Sequence, residues 1–151
     1  WILMNKIFNT TFESSLRILL LLYVSEDEQM TLDRIADYDF ITIYSKYFGI
    51  SNMALHGENE FGLSEFAARR GMMQSTMKSL VLDGLVSVKR RQNGFQYSIS
   101  AVGKTVAGKM ESEYASNYKM LARKTVEHFK GQSEQKIMKT ISNVSAEFLR
   151  R

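Results

Sequence analysis

The chain contains no cysteine among its 151 residues. This absence excludes disulfide bridges, cysteine-rich zinc sites and thiol nucleophiles together. Long apolar segments are also missing, because the densest run, Ile18 to Val24, has seven residues, whereas a membrane-spanning helix needs roughly 20. We therefore expect this run to form a buried helix. The first residues lack the charged region and cleavage site of a secretory signal, and Met4 is a candidate initiator, so we expect a cytoplasmic protein.

The sequence also lacks motifs for catalysis and for cofactor binding. It has no Gly-x-Ser-x-Gly turn, no Walker loop and no glycine-rich dinucleotide fingerprint. His56 and His128 fall in different predicted elements, without carboxylates at the spacing of metal ligands. On a helix Asp33 and Asp37 would share one side and Asp39 would not, which favours a solvated face over a carboxylate pair. We therefore expect neither an enzyme nor a bound cofactor or metal.

Charge is divided unevenly along the chain. Residues 1–62 contain four Lys and Arg against nine Asp and Glu, a net charge of −5. Residues 63–151 contain sixteen against seven, a net charge of +9. The basic half is the candidate for contact with phosphate groups, and the acidic half is the candidate for contact with protein.

Two helices are predicted in the acidic half. Thr10 and Glu13 form a capping box that begins the first helix, and Glu13 and Arg17 are spaced to pair on its exposed face. Thr31 is positioned to cap the second helix, which we expect to end near Gly49. An irregular connection follows.

Residues 64–100 predict a winged helix-turn-helix. A short helix is expected to end at Gly71, and a second helix is expected from Met73 to Asp83. Alternating apolar residues then flank the Asn93-Gly94 pair, which is typical of a two-residue β-hairpin. We assign the helix-turn-helix to residues 64–83 and the wing to residues 85–100.

The predicted fold class is mainly α with a small β-hairpin, a winged helix-turn-helix with long C-terminal helices. The winged-helix domain covers residues 1–100, and residues 101–151 form a helical extension that packs on this domain or on a partner. One helix is expected over residues 101–130, with a break at Gly131, and a last amphipathic helix begins at Ser133. The candidate partner interface combines residues from both ends of the chain: Phe8, Phe12, Ile137, Ile141, Val144 and Phe148.

The wing tip and the predicted second helix carry the candidate nucleic-acid contacts. Basic side chains there would neutralise phosphates, and the first residues of the helix would lie nearest to base edges. These candidates are Arg69, Arg70, Gln74, Thr76, Lys78, Lys89, Arg90 and Arg91. The alternative is a solvated wing beside a helix-turn-helix that packs against protein.

Several short motifs between residues 7 and 130 occur in a recognisable order. They are Phe8-Asn9-Thr10-Thr11-Phe12-Glu13 with Arg17, Tyr38-Asp39-Phe40 with Ser45, Leu55-His56, Glu65-Phe66-Ala67-Ala68-Arg69-Arg70, Gly84-Leu85-Val86, and Gly94-Phe95-Gln96-Tyr97 with Gly103. Together they resemble the middle component of bacterial ABC three-component systems, a group that includes the Lamassu-type anti-phage defence subunit. The chain departs from that pattern at Ser14-Ser15, where a glycine is expected, and at Phe12, where leucine is more usual.

The resemblance implies a non-enzymatic adapter in a hetero-oligomer. Such a subunit would join an SMC-like ATPase that senses DNA to an effector such as a nuclease, in an anti-phage or anti-plasmid response, without a membrane partner. The alternative hypothesis is a dimeric winged-helix transcription regulator. In that case the last helix would form the dimer, and the second helix of the helix-turn-helix would read an operator.

Overall fold

Helices dominate the chain. The computed structural model describes residues 11–53, residue 55 and residues 63–150. In chain order the elements are α1 (Thr11–Val24), β1 (Met30–Thr31), α2 (Leu32–Ile43), α3 (Leu63–Leu82), β2 (Val86–Arg91), β3 (Gly94–Ile99), α4 (Ala101–Gly108), α5 (Glu113–His128) and α6 (Glu134–Leu149). The predicted fold class, mainly α with a small β-hairpin, is confirmed. The predicted cap at Thr10 lies outside the described residues.

The strands form one antiparallel sheet in the order β1–β3–β2. The predicted hairpin is confirmed, with Arg91 paired to Gly94 at its tip. Because Gly94 already belongs to the ladder, Gln92 and Asn93 form the loop, one residue earlier than the Asn-Gly pattern predicts. Gly94 has a φ of 107°, a value that an L side chain rarely adopts. The sequence did not predict β1, which is only two residues long and pairs with β3.

The predicted turn at Gly71 is wrong, because α3 is one continuous helix of 20 residues. Gly71 is not among the glycines with a positive φ. A glycine inside a helix costs only about 1 kcal/mol relative to alanine. Its neighbours, Arg69 and Arg70 before it and Met72 and Met73 after it, are good helix formers that offset this cost.

Two further helix boundaries differ from the prediction. The second helix ends at Ile43 and is followed by turns that reach Gly49, whose φ is 69°. The single helix expected over residues 101–130 is two helices, α4 and α5. The second of them has its own N-cap, because the Ser112 hydroxyl accepts a hydrogen bond from the Ala115 amide at 3.1 Å. Thr31 caps α2 as predicted, by accepting from the Arg34 amide at 3.2 Å.

The core is shared between the two halves of the chain. Buried apolar side chains of α1, α2, α3 and the hairpin form one cluster with side chains of α5 and α6. Helix α5 packs on α1 and α2, and α6 packs on α2. The C-terminal helices therefore cover the helices of the acidic half, and a domain boundary at residue 100 stays a prediction. Within the described ranges, no helix has the length and apolarity needed to cross a membrane.

Gly103 fixes how closely α4 approaches the start of the hairpin. A Cβ atom at this position would lie 2.1 Å from the Leu85 carbonyl oxygen and 2.8 Å from the Ile99 side chain. A contact of that length with backbone requires the helix to move. Because Gly103 has no side chain, α4 can pack directly against the start of the hairpin.

Candidate functional site

The hairpin carries three consecutive cations, Lys89, Arg90 and Arg91, and all three are exposed. We call these residues and Phe95, which pairs with Arg90, the cationic hairpin. Successive side chains of a strand point to opposite faces. Lys89 and Arg91 therefore lie on one face of the ribbon and Arg90 on the other. On its face, Arg91 donates a hydrogen bond from Nη2 to the Gln29 side-chain oxygen at 3.1 Å.

Helix α3 presents a polar row next to this hairpin. Arg70, Gln74 and Lys78 are exposed and are spaced by four residues, so they lie along one side of the helix. Thr76 was predicted to lie near base edges, and this prediction is wrong. Its side chain is fully buried, and the hydroxyl donates to the Met72 carbonyl oxygen at 3.1 Å.

A shallow groove joins the polar row to the hairpin. It has a volume of about 270 Å³ and is lined by Thr31, Leu32, Asp33, Gln74, Asn93, Phe95 and Tyr97. Arg70 forms an ion pair with Asp33 on the α2 side, and both side chains are about half exposed. The structure thus brings Gln74 and the cationic hairpin to one surface. Arg69, also a candidate for nucleic-acid contact, is half-buried.

The predicted partner interface is only partly on the surface. Ile137 and Ile141 are fully buried in the chain's own core, so the prediction that they meet a partner is wrong. Helix α6, which carries both isoleucines, packs on α2. Val144 and Phe148 are half-buried against the same core, and the Phe148 ring lies edge-on to Tyr47 with 5.4 Å between centroids. Phe12 is 67% exposed and remains available, and Phe8 lies outside the described residues.

A buried charged network connects α1, α2 and α5, and the sequence-based prediction missed it. Arg17 Nε donates to Asp39 Oδ1 at 3.0 Å, and the Tyr118 hydroxyl donates to the same oxygen at 2.7 Å. Glu13 lies 3.9 Å from Arg17, so the predicted pair exists, but on the buried side of the helix rather than on its exposed face. A single arginine between Leu16 and the apolar run that begins at Ile18 is the signal that could have indicated burial.

Electrostatics within this network follow from burial and proximity. Burial lowers the pKa of Arg17, but Asp39, Tyr114 and Tyr118 together outweigh this effect and raise that pKa above its ordinary value. Burial, followed by the charge of Asp39, raises the pKa of the Tyr118 hydroxyl. Burial also raises the pKa of Glu13. Arg17 is therefore cationic and Tyr118 protonated at neutral pH, and the network serves to join helices.

Asp37 is buried without a hydrogen bond to either carboxylate oxygen. Burial raises its pKa from 3.8 to about 7, although the nearby Arg70 guanidinium lowers it. The interpretation of the three aspartates as a solvated face is therefore wrong for Asp37 and Asp39, each of which is 1% exposed, and correct only for Asp33.

Metal ligands do not cluster in the part of the chain that the structure describes. No group of three or more His, Asp or Glu side chains there could hold a metal ion. His128 is exposed, and its ring contacts Phe129 with 4.8 Å between centroids. His56 lies outside the described residues.

Fold and surface together define a small, mainly helical protein that presents a cationic β-hairpin. The family model described as ABC-three component (ABC-3C) system Middle Component 2 matches residues 7–151. The chain belongs to this family, which confirms the resemblance based on its motifs. It is a middle component, a protein that works with the other components of its system. Comparisons with curated proteins and with solved structures give no match.

Proposed function

We propose that this middle component is a non-enzymatic adapter in an anti-phage or anti-plasmid defence complex. It links an SMC-like ABC ATPase that senses DNA to an effector nuclease, as in Lamassu-type systems. The observation that carries the proposal is the family match over residues 7–151. The exposed cationic hairpin adds a surface suited to a macromolecular polyanion.

The order of elements supports a winged-helix assignment for the first part of the chain. Helix α1, strand β1, helices α2 and α3, and the β2–β3 hairpin follow one another, with β1 added to the outer side of β3. A winged helix consists of such a helix pair followed by a hairpin. On this assignment α2 and α3 take the places of the two helices predicted within residues 64–83. Helix α3 is then the helix that faces nucleic acid.

Contact with nucleic acid is proposed through the exposed members of the predicted set. They are Arg70, Gln74, Lys78, Lys89, Arg90 and Arg91. Cationic side chains that neutralise phosphates release counterions, so this binding weakens as salt rises. Most of these residues are charged, and therefore we expect contact with the backbone to dominate over base reading.

The hypothesis of a dimeric regulator is disfavoured by the packing of α6. That hypothesis requires the last helix to form the dimer, whereas Ile137 and Ile141 of this helix are fully buried in the chain's own core. A dimer through this stripe would require α6 to leave the core. Exposing two isoleucines would cost roughly 3–6 kcal/mol. The same burial excludes Ile137 and Ile141 as docking residues of the adapter, whose partners must contact exposed residues such as Phe12.

Co-expression with the products of adjacent reading frames tests the adapter. The tagged chain is expected to co-purify with an ATPase and with an effector. A variant with Lys89, Arg90 and Arg91 changed to glutamate is expected to keep both proteins and to lose retention on DNA. Its matched control reverses the charge of three exposed lysines outside the hairpin, Lys109, Lys130 and Lys139. A chain that elutes alone in the presence of both proteins, or that turns over ATP or DNA by itself, would overturn the proposal.

A further inference from the structure

Phe95 is an exposed aromatic side chain within the cationic hairpin. It is 56% exposed and lies directly opposite Arg90 near the hairpin tip. A hairpin that only neutralises the backbone of a duplex requires cations and gains little from an aromatic ring beside them. The ring therefore points to a second kind of contact at this surface.

The face of the ribbon that carries Phe95 changes from apolar core to open surface along its length. Val86 and Ile99 pair at the buried end, Val88 and Tyr97 pair in the middle, and Arg90 and Phe95 pair near the tip. Phe95 and Tyr97 are two residues apart on one strand, so their positions are roughly 7 Å apart on one face. Both side chains line the groove of about 270 Å³ that Gln74 closes on the α3 side.

We propose that the cationic hairpin binds single-stranded nucleic acid, with a base stacked on Phe95 and the adjoining phosphates held by Arg90. This inference rests on the proposed nucleic-acid contact and names its ligand class. Proteins that hold single strands combine a positively charged track with aromatic rings, because every base offers a flat face to stack on. In an intact duplex those faces are covered by neighbouring base pairs.

The charge around the hairpin indicates which face the strand occupies. The face opposite Phe95 borders a groove that is lined by two carboxylates, Glu28 and Glu134, and by one guanidinium, Arg34, so its lining has an excess of negative charge that repels phosphates. On the Phe95 side the carboxylate is Asp33, and its charge is balanced by the ion pair with Arg70. The single strand therefore lies between the hairpin and α3.

The same charge pattern favours nucleic acid over a protein partner at this surface. Cations at three successive positions place positive charge on both faces of the ribbon. Arginine and aromatic residues are enriched at protein–protein interfaces as well, but residues 86–99 contain three cations and no acidic residue, a charge that a polyanion neutralises. A protein docked on Phe95 would have to desolvate Arg90, whereas a nucleic-acid strand pairs with it.

Fluorescence anisotropy of the full chain with a labelled oligothymidine and with a blunt duplex tests the inference. An oligonucleotide of roughly 12 nucleotides suits the usual site size. The Phe95→Ala variant is expected to bind oligothymidine about 5- to 150-fold more weakly, the loss of one base stack, and to bind the duplex as the wild type does. Phe95→Trp is expected to retain single-strand affinity. Arg90→Ala is expected to weaken both ligands.

The matched control is Val102→Ala, which removes an exposed apolar side chain of α4, outside the hairpin. It is expected to bind both ligands like the wild type, and thermal unfolding checks that each variant is folded. Unchanged single-strand affinity in Phe95→Ala, or equal losses for strand and duplex, would overturn stacking while leaving nucleic-acid contact in place. If the wild type binds neither ligand, both the stacking and the proposed nucleic-acid contact are overturned. The expected co-purification with the ATPase and the effector is not affected by that result. Loss of the ATPase from Phe95→Ala, with DNA binding retained, would assign the ring to protein contact and overturn the inference.

Discussion

Replacing Asp39 with asparagine tests whether the buried network holds the helices together. The Asp39 carboxylate is 1% exposed and accepts hydrogen bonds from Arg17 and Tyr118. Asparagine keeps the shape but removes the charge, which leaves the buried Arg17 guanidinium dependent on the more distant Glu13 carboxylate, 3.9 Å away. Breaking a buried ion pair on one side costs about 3–5 kcal/mol. In a chain of this size that loss lowers Tm by roughly 6–20 °C.

Urea denaturation followed by circular dichroism measures this loss. Asp33→Asn on the same helix is the matched control, because Asp33 pairs with Arg70 at the surface and such a pair contributes about 0–1 kcal/mol. The double variant Arg17→Met with Asp39→Leu is expected to lose less than the sum of the single variants Arg17→Met and Asp39→Leu, since it removes both charges of the closest buried pair together. If Asp39→Asn costs no more than Asp33→Asn, the network does not stabilise the fold and the reasoning fails.

Three further predictions follow from buried positions. Asp37→Asn is expected to raise the free energy of unfolding at pH 8 and to change it little at pH 4. The reason is that the folded state favours the protonated Asp37 carboxyl group, whose pKa is raised from 3.8 to about 7, so the stability of the wild type falls as pH rises between these values. Equal effects of the variant on stability at pH 4 and pH 8 in urea titrations would contradict this. Gly103→Ala is expected to lower stability by about 1–3 kcal/mol or more, since its Cβ would meet the Leu85 carbonyl, and an unchanged Tm would refute the close approach. Thr76→Val is expected to leave nucleic-acid affinity within about twofold, because Thr76 is buried, whereas a large loss in anisotropy would return Thr76 to the binding surface.

Local signals in the sequence predicted local structure well. The hairpin follows from strand alternation around Asn93-Gly94. The N-cap follows from the threonine directly before the second helix, because the Thr31 hydroxyl can accept a hydrogen bond from the amide three residues later. Gly71 misled the prediction because a glycine in a helix costs only about 1 kcal/mol, which the surrounding helix formers and core contacts offset. Strand β1 was not predicted because two residues are too few to show the alternation of a strand. Its pairing partner, β3, is also distant in sequence.

The partners of the buried charges could not be predicted because they are distant in sequence. Asp39 meets Arg17 from 22 residues away and Tyr118 from 79 residues away, so nothing near Asp39 indicates burial. The stripe of α6 correctly predicted an amphipathic helix that needs a partner surface. The sequence does not specify which surface, and the structure supplies it from the chain's own core through Ile137 and Ile141. The exposure of Lys89, Arg90 and Arg91 was predictable, since strand residues near a hairpin tip have few neighbours.

Bridging is the property that distinguishes an adapter from a subunit that merely accompanies its partners. The most direct test is size-exclusion chromatography with light scattering of the purified ATPase and effector, with and without this chain. The account predicts that ATPase and effector elute in one complex only when the chain is present, with a mass that includes all three proteins. Co-elution of the other two proteins to the same extent without this chain would contradict the account.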